Sequence, residues 1–258
     1  MTRVAVVTGA ARGIGAALVR RLVVDGWSVV AVDVCADDPA VPYSLATRAE
    51  LDGLAELGDV TTVVADVRDV DALAPAVAIA AATYGGLDAA FAVAGVIAGG
   101  APHWDTSSAA EDAVLDVDLR GVLNLARVAA PELLRRPSPR SGRFVAVASS
   151  AAVSGLPGLA AYCAAKAGVA GFVRGLAADL RGTGVTANAI APGSTDTAML
   201  AESARLYGLS SVAEFAAQQP IERLLTPDEV AAACVWLASE EAGGITGAML
   251  PVDGGLTL

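Results

Sequence analysis

Near the amino terminus, an apolar run passes without a break into a glycine-rich turn. Residues 4–8 read VAVVT, residues 9–15 read GAARGIG, and a stretch with helical spacing follows. A continuous apolar run is typical of a strand that is covered on both faces, as strands in parallel sheets are. A strand, a tight turn and a helix in this order begin a right-handed β–α–β unit. This opening therefore predicts a parallel sheet with helices packed against it.

The rest of the chain repeats this alternation of apolar runs and helical stretches. We predict strands at 3–8, 28–33, 61–65, 89–94, 143–149, 185–191 and 247–252. We predict helices near 13–25, 47–58, 69–84, 107–135, 161–182 and 227–239. Strict alternation implies an α/β fold with a doubly wound parallel sheet of the Rossmann type, about seven strands flanked by helices. Because there is no internal repeat and no Gly/Ser linker, we expect residues 1–258 to form a single domain.

Charge and composition exclude several classes of partner. The formal charge of −11 argues against nucleic acid and anionic membranes. Mean hydropathy is high, at +0.57, but the best candidate span, 89–101, has 13 residues where a bilayer needs about 20. The amino terminus has no signal-peptide pattern, and the three cysteines lack metal-site spacing, so we expect a cytoplasmic protein with free thiols at Cys35, Cys163 and Cys234. A single histidine, His103, cannot build a His-based metal site or a Ser-His-Asp triad, so we expect no metal.

The glycine-rich turn has the context of a dinucleotide-binding site. Its glycines allow close approach to a pyrophosphate, and the helix that follows offers free N–H groups at its positive end. Asp33 lies 18 positions beyond Gly15 at a strand end, where a carboxylate accepts the ribose hydroxyls and repels a 2′-phosphate. This favours NAD(H), although Arg12 leaves NADP(H) open. Asp66 and Val67, after the third strand, are placed to meet the adenine, and Asp66 can alternatively be read as a helix N-cap.

A second group of residues points to proton-transfer chemistry. Tyr162 and Lys166, at i and i+4, share one helix face and follow Ser149 and Ser150 at a strand end. The tyrosine pKa is near 10 in water, and a neighbouring ammonium lowers it towards the working range of a general acid/base. Taken alone, Tyr-x3-Lys is usually a surface pair of a helix. Its place downstream of the glycine turn favours an active site, in which the serine hydroxyl holds the substrate oxygen.

These motifs together resemble the short-chain dehydrogenase/reductase family over the whole chain. The resemblance rests on Thr8-Gly9-x3-Gly13-Ile14-Gly15, Asp33, Asp66-Val67, Ser-x12-Tyr-x3-Lys, Pro192-Gly193-x3-Thr197 and Asp253-Gly254-Gly255. It implies a catalytic set of Ser149, Tyr162 and Lys166, with Tyr162 as the acid/base and Ser150 as the second choice for the serine. It also implies a homotetramer built on the helices at 107–135 and 161–182 and on the last strand. The implied cofactor-binding residues are Gly9, Arg12, Gly13, Ile14, Gly15, Asp33, Asp66, Val67, Ala94, Gly95, Tyr162, Lys166, Ile190, Pro192, Gly193 and Thr197.

The chain departs from the family pattern in two places. After the fourth strand it has Ala92-Val93-Ala94-Gly95 where the family usually has Asn-Asn-Ala-Gly. Asp118 stands where a helical asparagine usually completes a catalytic tetrad, so we include Asp118 in the catalytic set. A further buried carboxylate at that position is expected to alter the ionisation of the lysine and the tyrosine.

Three segments are predicted to line the substrate cleft: 97–104, 153–159 and 198–219. They contribute mainly apolar side chains, namely Trp104, Leu156, Met199, Leu200, Tyr207 and Phe215. A compact apolar secondary alcohol or its ketone fits these residues better than a charged acyl carrier or a sugar phosphate. Segment 198–219 is expected to act as a lid with hinges at Gly193 and Gly208. His103 and Trp104 can equally be a loop tip and a packing anchor.

The insertion at 34–47, between the second strand and its helix, is longer than the usual connection of 2–6 residues. Cys35 and the later Val41-Pro42-Tyr43-x2-Ala46-Thr47 are similar to the segment that marks the mycofactocin-coupled branch of the family. That similarity implies that NAD(H) stays bound between turnovers and that electrons pass to a peptide-derived redox carrier. The alternative is an ordinary Pro-bearing loop packed on its own helix.

The function predicted from the sequence is an NAD(H)-dependent oxidoreductase that interconverts a small hydrophobic secondary alcohol and its ketone, with the cofactor retained. One alternative is an ordinary member that exchanges NAD(H) freely, such as a 3-oxoacyl or steroid reductase. A second alternative, motivated by Asp118 and the missing asparagines, is a non-catalytic dinucleotide-binding protein.

Overall fold

The computed structural model describes residues 2–258. Within that range, seven strands form one fully parallel sheet in the order β3-β2-β1-β4-β5-β6-β7. They are β1 Val4–Thr8, β2 Ser28–Asp33, β3 Val60–Val64, β4 Ala89–Ala92, β5 Arg143–Val147, β6 Thr186–Pro192 and β7 Met249–Val252. The five internal strands β1, β2, β4, β5 and β6 are buried along their whole length. Continuous apolar runs predict this for strands of a parallel sheet.

Helices cover both faces of the sheet. They are α1 Gly13–Val24, α2 Arg48–Gly53, α3 Val70–Tyr84, α4 Ser108–Leu115, α5 Gly121–Arg135, α6 Ala160–Asp179, α7 Ala198–Leu206 and α8 Pro227–Ala238. One apolar layer joins the sheet to α3, α5 and α6, and the other joins it to α1, α2 and α8. The predicted doubly wound fold is confirmed. In residues 2–258, no helix combines the length and the apolar character that a bilayer crossing needs.

The order of the strands indicates at which end of the sheet a ligand would bind. The order reverses between β1 and β4, so the connections that leave these two strands diverge to opposite faces. In doubly wound sheets, ligands bind at the carboxyl ends of the strands beside such a reversal. The glycine-rich turn after β1 and the segment after β4 therefore form the two walls of a cleft.

Two predicted helices and the predicted lid segment are interrupted. The helix predicted at 107–135 contains a π-helical turn, Asp116–Arg120, between α4 and α5. The helix predicted at 47–58 is α2 followed by a 3₁₀ turn, Leu54–Leu57, because α2 ends at Gly53 and glycine is a poor helix former. Segment 198–219 is α7 followed by a 3₁₀ helix, Val212–Gln218, and Gly208 between them has a left-handed φ of +65°.

Candidate active site

A single cleft of about 590 Å³ runs along the carboxyl ends of the strands. Its walls include the turn after β1, the ends of β2 and β5, the insertion at 34–47 and the start of α7. The cleft is lined by all but two of the residues that the sequence assigned to catalysis or the cofactor. The two exceptions are the buried Ile190 and Asp118, and Asp118 lies directly behind Lys166.

The glycine-rich turn leaves no room for side chains at two of its positions. A Cβ atom on Gly9, which has a φ of +65°, would lie 2.6 Å from the Cα of Ala94. A Cβ atom on Gly15 would lie 1.9 Å from the carbonyl oxygen of Gly9. The turn is thus compact, and it brings the N-terminus of α1 to the cleft, where backbone N–H groups can bind an anion.

Asp33 ends β2 at the wall of the cleft. Its Oδ2 accepts a hydrogen bond from the backbone N–H of Ala11, 3.0 Å away, which links the acidic residue to the glycine-rich turn. The cationic side chain of Arg68 also lines the cleft, but it contacts two carboxylates, Asp66 at 2.7 Å and Asp38 at 2.6 Å. Since its charge is already paired, Arg68 does not offset the repulsion that Asp33 exerts on a 2′-phosphate.

Asp66 and Val67 lie at the same end of the cleft. Asp66 accepts hydrogen bonds from the backbone N–H and the guanidinium of Arg68. The N-cap of α3 is Asp69, whose side chain accepts from the N–H groups of Asp71 and Ala72. The alternative interpretation of Asp66 as the helix cap is therefore wrong, because the turn after β3 delays the helix by three residues.

Ser149, Tyr162 and Lys166 meet at the centre of the cleft. Ser149 follows β5, accepts a hydrogen bond from the N–H of Ala151 at 3.1 Å, and lies close enough to Tyr162 to act on the pKa of its hydroxyl. The Lys166 ammonium lies 5.5 Å from the centre of the Tyr162 ring and donates to the carbonyl oxygen of Val147 at 3.2 Å. Ser150 also lines the cleft, but of the two serines only Ser149 acts to lower the pKa of Tyr162, which favours Ser149 as the residue that faces the reacting oxygen.

The charges around Tyr162 act in opposite directions. Burial raises the pKa of Tyr162, the Lys166 ammonium lowers it, and the Asp118 carboxylate raises it further, so that the pKa lies above its ordinary value. Burial acts to lower the pKa of Lys166, but Asp118 and Tyr162 more than offset this, and the lysine stays charged. The phenol is therefore held in its protonated form over a wide pH range.

The substrate end of the cleft is apolar. The Tyr162 hydroxyl donates to Sδ of Met199 on α7 at 3.9 Å, and Leu156, Leu200, Tyr207 and Phe215 line the cleft around it. The start of α7 also approaches the glycine-rich turn, since a Cβ on Gly13 would lie 3.5 Å from Cγ2 of Thr197. Met199 and Thr197 thus place α7 over both halves of the cleft.

Trp104 does not line this cleft, so the prediction of a substrate contact there is wrong. Its side chain is 83% exposed on a 3₁₀ turn, His103–Asp105, outside the cleft. The His103 ring lies 4.0 Å from Glu111, also on the surface. The segment after Gly100 turns outward, which explains why the most apolar side chain of this loop is directed to solvent.

The insertion at 34–47 crosses to the opposite wall of the cleft. The Tyr43 hydroxyl accepts a hydrogen bond from the backbone N–H of Ile97 at 3.2 Å, and its ring lies 5.8 Å from the Arg12 guanidinium. Val41 is buried in the same apolar cluster as Val96 and Tyr162. The insertion therefore packs on the segment after β4, and not only on its own helix.

Two contributions to the site were missed in the sequence. Arg68 joins the insertion to the segment after β3 through its two ion pairs. Gln219 is almost fully buried, accepts from the N–H of Ser194 and donates to the carbonyl of Arg223, which fixes the turn after β6. Gln218, Glu222 and Arg223 are neighbours in the sequence, so no pattern singled out Gln219.

Comparison with known proteins agrees with this geometry. A family model described as Enoyl-(Acyl carrier protein) reductase matches residues 9–257. The chain is 40% identical to cis-4-hydroxycyclohexanecarboxylate dehydrogenase of Sinomonas cyclohexanicum, over 99% of this chain and 96% of that protein. It is 34% identical to (-)-trans-carveol dehydrogenase of Rhodococcus erythropolis, over 99% of this chain and 98% of that protein. The crystal structure of carveol dehydrogenase from Mycobacterium avium in complex with NAD superposes with a TM-score of 0.93 at 29% identity, covering 98% of this chain and 97% of that one.

Proposed function

Because this chain belongs to the short-chain dehydrogenase/reductase family and is an NAD-dependent oxidoreductase, we propose that it interconverts an uncharged cyclic secondary alcohol and its ketone. The observation that carries this proposal is the meeting of Ser149, Tyr162 and Lys166 between a dinucleotide half and an apolar half of one cleft. The two relatives and the solved structure named above support a ring-bearing alcohol as the substrate class. The Sinomonas relative is named for a carboxylate, so the uncharged character is proposed from the lining of this cleft alone.

The residues of the dinucleotide half fit NAD(H). The turn carries no side chain at Gly9 and Gly15, so a pyrophosphate can approach the N-terminus of α1, and Asp33 provides the ribose-binding carboxylate. When bound there, NAD supplies the acceptor for a hydride from the alcohol carbon, and NADH the donor for the reverse reaction.

The protein's own part is proton transfer and orientation. Ser149 donates a hydrogen bond to the substrate oxygen, and Tyr162 takes the proton of the alcohol during oxidation or donates a proton to the ketone oxygen during reduction. Lys166 stabilises the phenolate by its charge. Closure of α7, with Met199 above the Tyr162 hydroxyl, keeps water away from the reacting atoms.

The charged side chains that line the cleft favour uncharged cyclic alcohols over those that carry a carboxylate. Among residues 2–258, the cationic side chains that line it are Arg12, Arg68 and Lys166. Arg68 is paired at the dinucleotide end, Arg12 lies in the glycine-rich turn, and Lys166 contacts Asp118. A substrate carboxylate in the apolar half would be buried without a cation, which costs several kcal/mol.

We therefore expect kcat/KM for cyclohexanol to exceed that for cis-4-hydroxycyclohexanecarboxylate by about 100-fold or more, since a penalty of about 2.7 kcal/mol corresponds to that ratio. Turnover of each alcohol with an artificial electron acceptor that reoxidises the bound NADH measures the ratio. The methyl ester of the acid is the control, because it has more bulk without the charge and should remain a substrate. Equal kcat/KM for the acid and its ester would contradict an uncharged substrate class.

The function includes retention of NAD(H) between turnovers, with electrons passed to a peptide-derived redox carrier of the mycofactocin type. Three contacts of the insertion support retention: the Tyr43 bond to Ile97, the packing of Val41, and the ion pair of Asp38 with Arg68. The ion pair lies beside the adenosine half of the cleft, whereas Tyr43 and Val41 join the apolar cluster of Tyr162. The insertion therefore extends along the cleft that NAD(H) must leave to dissociate. Free exchange of NAD(H) is the competing outcome.

Retention predicts that NAD(H) co-purifies with the protein and that Tyr43→Phe releases it about fivefold faster, because one hydrogen bond of roughly 1 kcal/mol is lost. Mass spectrometry of the desalted, denatured protein detects the cofactor, and displacement by excess NAD measures the release rate. Tyr84→Phe is the matched control, since it removes a hydroxyl bonded to Thr61, far from the cleft. A parent protein that is purified without NAD(H), or that exchanges it within mixing time, would contradict retention.

The assembly is a homotetramer in the cytoplasm. One face of α6 is exposed in the single chain and carries small residues at Ala164, Ala167, Gly171 and Gly175, with Arg174 beside the last two, which suits close packing against a second copy. Free thiols at the three cysteines suit a reducing compartment. Light scattering of the purified protein measures the subunit number.

A further inference from the structure

The least usual feature of the site is a buried ion pair behind the catalytic tyrosine. Asp118 lies in the π-helical turn between α4 and α5, and its side chain is fully buried. Its Oδ1 accepts a hydrogen bond from the N–H of Val96 at 2.7 Å, and its Oδ2 lies 3.0 Å from the Lys166 ammonium. Interruptions of this kind in helices are often found at functional sites.

The ion pair is closely packed on the wall of the cleft. A Cβ atom on Gly95 would lie 3.3 Å from Nζ of Lys166 and 3.4 Å from Oδ2 of Asp118. The titratable groups that face the pair are Tyr162 on α6 and Tyr43 on the insertion, and Cys163 lies beside Tyr162. Asp118 is therefore the carboxylate that acts most directly on Lys166.

A carboxylate here has two effects that an amide would not have. It accepts from Val96 with one oxygen and binds the ammonium with the other, whereas an asparagine would turn its NH₂ group towards one of these donors. It also cancels part of the positive charge that favours a phenolate at Tyr162, because the ammonium and the carboxylate together are neutral.

We propose that Asp118 is a positioning residue for Lys166, whose carboxylate holds the ammonium and keeps Tyr162 in the protonated form that donates a proton to a ketone. This inference rests on the proposed function of Tyr162. It makes the site better suited to ketone reduction near neutral pH, whereas alcohol oxidation, which needs the phenolate, requires a higher pH.

The test is the pH profile of Asp118→Asn. The alkaline limb of ketone reduction and the acidic limb of alcohol oxidation should both move to lower pH by about one unit. The reason is that the substitution removes a carboxylate whose negative charge disfavours the Tyr162 phenolate. On the acidic limb, alcohol oxidation at a given pH then rises up to about tenfold. Asp116→Asn is the matched control: it removes the same charge from the same helical turn, but its side chain is exposed and pairs with Arg120. Its profile should equal that of the parent.

An Asp118→Asn profile that coincides with the parent profile, or that moves to higher pH, would overturn the inference. If Asp118→Asn does not fold, Asp118→Ala replaces it in the same measurement. Both limbs should again lie at lower pH than in the parent, and limbs at the parent pH or above it overturn the inference. If Tyr162→Phe keeps full activity, the proposed function itself fails, and the two failures are thereby distinguished.

Discussion

Tyr162→Phe is expected to lower the rate of hydride transfer by about 10²- to 10⁴-fold, the range that a positioned general acid/base contributes. The substitution removes only the hydroxyl that lies beside Ser149 and donates to Met199, so the buried ring and the cleft keep their shape. A single-turnover experiment, in which protein loaded with NADH reacts with a cyclic ketone, measures the rate from the nicotinamide absorbance.

Two controls make the Tyr162 result specific. Binding of NAD(H) to Tyr162→Phe should stay within a few-fold of the parent, because the glycine-rich turn and Asp33 are untouched. Tyr84→Phe, which loses a hydroxyl on the far side of α3, should react at the parent rate. A Tyr162→Phe protein as fast as the parent would refute the mechanism, and a parent that turns over no alcohol or ketone would favour a non-catalytic dinucleotide-binding protein.

Gly15→Ala is expected to weaken NAD(H) binding by about 100-fold and to lower the free energy of unfolding by about 1–3 kcal/mol. The added Cβ would lie 1.9 Å from the Gly9 carbonyl oxygen, so the turn must open. An open turn misdirects the N–H groups at the start of α1, and two lost bonds to a phosphate, each worth roughly 1.5 kcal/mol, account for the factor. Fluorescence titration with NADH and denaturant unfolding measure the two effects.

Gly53→Ala is the matched control for this prediction. Gly53 also has a helical conformation, with a φ of −59°, and a Cβ there meets no atom within 4 Å. We expect its free energy of unfolding to rise by about 0.4–1 kcal/mol, because alanine restricts the unfolded chain, with NAD(H) binding unchanged. If Gly15→Ala and Gly53→Ala changed NAD(H) binding and the free energy of unfolding equally, the lack of a Cβ atom at Gly15 would not be what keeps the turn tight.

The strands and the dinucleotide end could be predicted because their signals are local. The apolar runs of β1, β2, β4 and β5 allow few alternatives, and the glycine-rich turn must follow β1 directly. Asp33 lies in the same unit, so its place at the cleft follows once the sheet is parallel.

What could not be predicted depends on contacts between distant segments. The bond of Tyr43 to Ile97 joins residues 54 positions apart, and nothing in the periodicity of either segment specifies it. The π-helical turn at Asp118 is invisible in a pattern that fits one long helix over 107–135. Trp104 was misplaced because apolar character alone does not tell which way a loop turns.

The path of the insertion along the cleft has a consequence for how the protein exchanges electrons with the rest of metabolism. With the nucleotide kept in place, as proposed above, it behaves as a prosthetic group, and each protein molecule alternates between an oxidised and a reduced form. Both the alcohol and the electron acceptor must then reach the nicotinamide through the apolar end of the cleft, one after the other. The direction of flux would be set by the supply of these two compounds, independently of the NAD⁺/NADH ratio of the surrounding pool.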